Sequence, residues 1–178
     1  MLGRKQKDFE GLVMPQCPRL LRFARRLTSR NSEAEDLLQE ALLKAWRNFH
    51  QFKAGTNVGA WLFRILMNVH YAGHRAADLF SMAEPPNTPD LSCAEEGPDT
   101  LVVREALDRL PEEQRRVLYL VVVEGFTCRE TAEILMIPAG TVMSRLSRAR
   151  DAMRSYLTQD GRNAHREKRN ELSAGHRA

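Results

Sequence analysis

Two small all-helical domains joined by an acidic, proline-rich linker are what this sequence predicts, and three observations predict it. On either side of a central break, apolar residues recur at helical rather than strand spacing. The break, residues 76–100, holds four prolines, six acids and no base, a composition that cannot bury enough apolar surface to order itself. Residues 125–150 then read as two short helices about a turn. The boundaries that follow are a first domain at 9–76, a linker at 77–100, a second domain at 101–157 and a flexible basic tail at 158–178.

With 178 residues and 43% hydrophobic composition, the chain has enough apolar material for two small cores. No run approaches a membrane span and no secretory leader precedes the first helix, so a soluble, cytoplasmic protein with no membrane insertion is expected. Cys17, Cys93 and Cys128 are odd in number and far apart, which fits reduced thiols rather than a disulfide framework or a zinc site. Net charge is only +4, but it is unevenly spread. Residues 1–30 carry eight bases against two acids, and residues 51–75 carry three against none. A basic first part, an acidic connector and a basic end suit a chain that grips nucleic acid at more than one place; solvated helix faces are the competing reading.

Phe9, Leu12, Val13, Leu20, Leu21, Phe23, Ala24 and Leu27 form an apolar pattern broken by Pro15 and Pro18, which predicts a short helix, a break and a second helix. Arg19, Arg22, Arg25, Arg26 and Arg30 lie on its polar side, open to phosphate or simply to water. Asn31 or Ser32 is expected to cap a helix running to about Phe49, with Glu33 and Glu35 in its first turn and a core stripe of Ala34, Leu38, Ala41, Ala45 and Phe49. Its far side gathers Asp36, Gln39, Glu40, Leu43 and Arg47. A leucine ringed by acids is either an isolated exposed leucine or the apolar centre of a docking surface with a polar rim.

Thr56 or Asn57 caps the next helix, in which Val58, Trp61, Leu62, Ile65 and Val69 form the expected buried stripe. Opposite them stand Arg64, Asn68, Tyr71, His74 and Arg75 with no acid among them. Cations, an amide and an aromatic ring on one face can hold unstacked bases by stacking, base-edge hydrogen bonds and phosphate contact. His70 and His74 lack a third ligand or an intervening glutamate, so no metal is expected.

Beyond the linker, residues 101–110 predict a helix and Pro111 starts another at its first position, with Val117, Leu118, Leu120 and Val121 apolar and Val121 to Val123 packed beneath the helix-turn-helix. Thr127 and Glu130 form a capping box for the first helix of that motif; Pro138 and Gly140 break and restart the chain. In the second helix Val142, Leu146, Ala149 and Met153 share a buried stripe, leaving Thr141, Ser144, Ser147 and Arg148 outward and Arg145 on the flank. Small hydroxyls and arginines on an exposed helix face suit a major groove, and an amphipathic hairpin with a solvated basic face is the competing reading.

Together the two halves resemble the extracytoplasmic-function (ECF) group of sigma-70 family RNA polymerase sigma factors. The segment from Asn31 to Trp46 is similar to that family's core-binding helix, and the segment from Gly55 to Asn68 to its promoter-melting segment. Leu110 to Arg115 and the helix-turn-helix through Arg150 are similar to its last domain, so the two helical units would be sigma domains 2 and 4. The resemblance implies that Asp36, Gln39, Glu40 and Leu43 dock on core RNA polymerase. It implies that Arg64, Asn68, Tyr71, His74 and Arg75 hold the minus-ten element of promoter DNA as an opened strand. Thr141, Ser144, Arg145, Ser147 and Arg148 would read the minus-thirty-five element as duplex. It further implies an anti-sigma partner and a monomer when free. Met143 stands where many members carry Arg or Lys, and no phosphate-binding arginine is carried over at Val121 to Val123.

The expected function is therefore a transcription initiation factor that directs core polymerase to promoters and assists their opening, without covalent chemistry or cofactor. A polymerase-independent helix-turn-helix regulator is the alternative; it would need a ligand pocket or a self-complementary face and palindromic half-sites. An enzyme finds no support: no nucleophile with a base, no phosphate-cradling glycine loop and no metal cluster is visible in the sequence.

Overall fold

The computed structural model describes the backbone of residues 2–78 and 98–174, and the side chains of residues 5–73 and 102–158. In chain order its helices are α1 (Leu2–Val13), α2 (Cys17–Leu27), α3 (Asn31–Arg47), α4 (Val58–Asp78), α5 (Pro98–Asp108), α6 (Glu112–Leu118), α7 (Cys128–Leu135) and α8 (Ala139–Ala174). No strand occurs among the described residues. Most of the linker expected at 77–100 lies outside them, although its two ends belong to α4 and α5. The chain divides into two compact units: α1 to α4 together with the segment Phe126–Pro138, which contains α7, and α5, α6 and α8.

In the first unit, α2 packs on α3 and α3 on α4. Ala34, Ala41 and Ala45 are buried on α3, and their small size lets the neighbouring helices approach closely while Leu20, Phe23 and Leu27 of α2 and Leu62, Phe63, Leu66 and Met67 of α4 fill the core. Phe23 and Phe63 meet at 5.1 Å between ring centroids. Two stripes differ from expectation. On α3 it is Leu37 rather than Leu38 that is buried. On α4 the buried face is turned by roughly one residue position, about 100°, toward Leu62, Phe63, Leu66 and Met67. The reason is that α4 is covered from several sides, by α1, α2, α3 and α7, so a single stripe does not describe it.

The half-buried Trp61 serves a separate aromatic cluster. Phe9 of α1 meets Trp46 edge-on at 5.0 Å and Phe49 at 5.2 Å, and Phe52 lies 5.3 Å from Trp61. These rings anchor the turn between α3 and α4, in which Gly55 takes φ +88°, a conformation that disfavours a side chain. Asn57 ends that turn as the expected cap: its Oδ1 accepts from the Ala60 amide at 3.3 Å. At α3, by contrast, the cap position is Arg30 and carries no side-chain cap.

In the second unit α8 packs on both α5 and α6. Ala106, Leu110, Val117, Leu118, Leu120, Val142, Leu146 and Ala149 are buried in it. Pro111 occupies the cap position of α6 rather than its first turn. Glu112 pairs with Arg115 and with Arg116, the latter at 2.7 Å, and Arg115 also reaches Asp108 at 3.5 Å. Burial alone would raise the Glu112 pKa, but these guanidinium partners more than offset it and hold the carboxyl below its ordinary value. Tyr156 donates to Glu105 at 2.9 Å, and the Arg109 guanidinium lies 4.4 Å from the Tyr156 ring, joining α5 to α8.

Two expectations for this half are corrected. Val122 and Val123 do not pack beneath the helix-turn-helix; they are 57% and 63% exposed. After α6 the chain widens into a π-type turn over Tyr119–Val123, closed by a buried hydrogen bond from the Tyr119 hydroxyl to Glu124 at 2.8 Å. The extra residue in that turn rotates the two valines outward. The tail expected to fray after Leu157 has a helical backbone, α8 continuing to Ala174 with no proline to interrupt it.

Candidate functional site

Three helix faces carry the residues singled out by the sequence. On α3, Asp36, Gln39, Glu40 and Leu43 are all exposed, Leu43 at 55%. They share a face because they recur at three- and four-residue steps, while Leu37 and Ala41 turn inward. Glu40 is steadied by Lys44 one turn on, with Nζ to Oε1 at 3.0 Å. An exposed leucine with carboxylates and an amide around it combines an apolar anchor with a charged rim.

On α4, Arg64 and Asn68 are exposed and Tyr71 is half-buried beside the buried His70, with ring centroids 5.8 Å apart. Steps of four and three residues put Arg64, Asn68 and Tyr71 on one line of the helix, away from the Leu62 to Met67 core. The backbone of His74 and Arg75 continues this helix, but their side chains lie outside the described residues. Among the described residues no group of three or more His, Cys, Asp or Glu is gathered as a metal ion would require. The side-chain amide of Asn68 offers a paired donor and acceptor, as recognition of a base edge requires.

On α8, Ser144, Ser147 and Arg148 are exposed, Thr141 is half-exposed, and Val142, Leu146 and Ala149 are buried beneath them. The Ser144 hydroxyl donates to the Thr141 carbonyl at 3.0 Å, and Arg148 Nε donates to the Ser144 carbonyl at 3.2 Å, which orients the guanidinium along the helix surface. Arg145 is placed differently from the rest. Its side chain is 21% exposed and its guanidinium is paired with Glu113 of α6 at 2.5 Å. The sequence put Arg145 on the flank but carried no sign of this partner, because a carboxylate a full helix away in the chain becomes a neighbour only through the packing of α6 on α8. Met143, 56% exposed, also stands at this surface and was not among the expected contacts.

The helix that precedes this surface has the local structure its sequence dictates. The Glu130 amide donates to Thr127 Oγ1 at 3.2 Å and the Thr127 amide donates to Glu130 Oε2 at 2.8 Å, completing the capping box of α7. Burial would raise the Glu130 pKa, but hydrogen bonds from the Thr127 amide, the Thr127 hydroxyl and the Asn57 amide group bring it below its ordinary value. Met136 then closes α7 in the left-handed region at φ +54°. Although the sequence places α7 in the second domain, its packing partner is α4 of the first unit.

Comparison with known proteins gives these faces a common context. Residues 12–79 match the family model for sigma-70 region 2, and residues 100–153 match that for sigma-70 region 4. The ECF RNA polymerase sigma factor EcfG of Rhodopseudomonas palustris is 35% identical over 162 residues, spanning 84% of this chain and 84% of that protein. Among solved structures, the sigma factor RpoE in complex with the anti-sigma factor NepR from Bartonella quintana aligns with a TM-score of 0.72 and 32% identity, over 85% of this chain and 98% of that one. CnrH in complex with the cytosolic domain of CnrY aligns with a TM-score of 0.61 and 25% identity, over 87% of this chain and 90% of that one. With both sigma-70 regions in order and a relative matched along most of its length, the chain belongs to the ECF RNA polymerase sigma factors, the transcription initiation factors that direct polymerase to promoters.

Proposed function

We propose that the three faces divide the work of initiation. The exposed α3 face of Asp36, Gln39, Glu40 and Leu43 docks on core RNA polymerase, Leu43 as the anchor and the acids as the rim. Arg64, Asn68 and Tyr71, continued by His74 and Arg75, hold the minus-ten element as an opened strand. Ser144, Ser147 and Arg148, with Thr141, read the minus-thirty-five element in the major groove, while Arg145 contributes once released from Glu113 or by its charge alone. The observation that carries this reading is the pair of exposed, acid-free rows on two different helices, Arg64 and Asn68 on α4 and Ser144, Ser147 and Arg148 on α8.

The mechanism is thermodynamic. Capture of an unstacked base on α4 and duplex contact by α8 offset the few kcal/mol that unpairing and unstacking a base costs. An anti-sigma protein would hold the factor silent; the solved complexes of RpoE with NepR and of CnrH with CnrY support that partner class. The free chain is a cytoplasmic monomer in this reading, and no helix among the described residues is long and apolar enough to cross a membrane. A polymerase-independent regulator is not favoured, since both region models and the relatives are those of sigma factors.

A gel-shift titration of promoter duplex tests the reading. Specific binding is expected only when core polymerase is present; tight specific binding by the free chain would contradict it.

A further inference from the structure

Five arginines in α2 and just beyond it, Arg19, Arg22, Arg25, Arg26 and Arg30, take no part in the three faces described above. Between Gly11 and Ser32 the sequence has no acid at all. On α2 the inward residues are Leu20, Phe23, Ala24 and Leu27, so the three- and four-residue spacing of the arginines brings them to the outer side. Arg22 and Arg25 are exposed, and among the described residues neither meets a carboxylate. Lys44, Arg30 and Arg154, by contrast, each have one within a turn: Glu40, Glu33 and Asp151.

Like charges at these spacings repel, so the row costs α2 stability. The helix dipole favours Arg25 and Arg26 in the last turn, but its effect does not extend back to Arg22. The fold itself therefore gives no return for a cation at Arg22.

The position of the row and its chemistry select a partner. At the other end of the row Arg19 Nη1 donates to Gln16 Oε1 at 3.1 Å, and the Arg19 guanidinium stands 6.0 Å from the Phe63 ring of α4. Phe63 also meets Phe23 of α2 at 5.1 Å. The arginine-bearing helix thus adjoins α4 at the residue next to Arg64, within one compact unit. A protein-docking face has an apolar centre, as α3 has in Leu43, but no large apolar side chain is exposed between Arg19 and Arg30. Exposed guanidinium groups with no apolar anchor among them match phosphate oxygens.

We propose that Arg22 and Arg25 bind the phosphate backbone of the opened promoter strand beside the base that α4 captures, adding affinity without reading sequence. The place of that strand rests on the reading of the α4 face given above.

Salt dependence tests the contact. Holoenzyme formed from core polymerase and the full chain is titrated with a single-stranded oligonucleotide carrying the minus-ten sequence, from about 50 to about 200 mM salt. Each phosphate contact on a single strand adds roughly 0.7 to the slope of log affinity against log salt. Arg22→Gln combined with Arg25→Gln is expected to lower the slope by about 1.4, so that the wild type loses about sevenfold more affinity over that range than the variant does. The same change is expected when the minus-ten bases are scrambled, because phosphate contacts carry no sequence information. Arg22→Lys combined with Arg25→Lys keeps both charges and should retain the slope. The denaturant midpoint of the glutamine variant should equal or exceed that of the wild type, since repulsion along α2 is relieved.

An unchanged slope would overturn the proposal. So would a lower midpoint, which would make the arginines part of the fold, or a loss of affinity for core polymerase in place of DNA, which would make the face a protein contact. Asn68→Ala on the same two oligonucleotides tests the α4 reading separately: its loss is expected on the minus-ten sequence and not on the scrambled one, and its failure leaves the slope result untouched.

Discussion

The two helices proposed to meet DNA are built to different plans. On α4, Arg64 and Asn68 stand exposed on a helix whose opposite side is locked by Leu62, Phe63, Leu66 and Met67. On α8, one of the five expected contacts, Arg145, is turned back on its own unit by Glu113, and the outward face holds Ser144, Ser147 and Arg148 with the half-exposed Thr141 and the exposed Met143. Base capture on α4 is proposed to rest on one side-chain amide, that of Asn68, the only paired donor and acceptor among Arg64, Asn68 and Tyr71. A surface that reads an intact groove spreads its energy over several side chains, because phosphate contacts and many weak polar contacts share it. The difference teaches that loss of one residue should weigh more on α4 than on α8.

The largest effect is therefore expected from Asn68→Ala, which should slow promoter opening by a factor corresponding to about 3 kcal/mol, the upper range for a bidentate base contact, while leaving affinity for core polymerase unchanged. Stopped-flow opening kinetics alongside a core-binding titration check it; equal opening rates would break the comparison. Next comes the contrast within α8. Arg148→Ala should lower duplex affinity by about 2 kcal/mol, and Arg145→Ala should lower it less and cost no more than about 1 kcal/mol of folding stability, since Glu113 is mostly exposed and is solvated when its partner is lost. Denaturant midpoints and duplex binding with core polymerase distinguish them, and equal binding losses would mean that the Glu113 pairing is released on DNA.

A smaller effect concerns pH. The folded pKa of Glu112 is lowered by Arg115 and Arg116 against the opposing pull of burial, so its contribution is fully present above the ordinary glutamate pKa and is lost as pH falls through the folded value. The two partly exposed ion pairs are worth about 1 kcal/mol together. Denaturant midpoints followed down from neutral pH should fall more steeply in the wild type than in Glu112→Gln, where this part of the acid dependence disappears. The smallest effect is at Met136, which is half-exposed in the left-handed region at φ +54°. Met136→Gly should stabilise the chain by about 0.5 kcal/mol, the relief of left-handed strain being partly offset by backbone entropy.

Local structure was legible where neighbours in sequence decide it. The Thr127–Glu130 capping box, the Asn57 cap, the break at Pro15 and Pro18, and the Val142, Leu146, Ala149 stripe all follow from interactions within a turn or two. The exposure of Asp36, Gln39, Glu40 and Leu43 on α3, Arg64 and Asn68 on α4, and Ser144, Ser147 and Arg148 on α8 was legible for the same reason, each lying away from apolar residues of its own helix. What escaped depends on contacts between distant segments. Leu37 is buried in place of Leu38 on α3, and the α4 core turns because several helices cover α4 together. Val122 and Val123 face solvent because a wide turn closed by Tyr119 and Glu124 inserts a residue that no periodicity announces. Neither the Arg145–Glu113 pair nor the shared caps of Asn57 and Glu130 leaves a mark in either segment alone.

Strand opening at the minus-ten element, followed by permanganate reactivity of its thymines on a linear promoter duplex, tests the central claim most directly. The account predicts reactive thymines when core polymerase and this chain are both present, none with either alone, and strongly reduced reactivity with Asn68→Ala at saturating factor. Undiminished reactivity with Asn68→Ala, or opening by core polymerase without the chain, would contradict it.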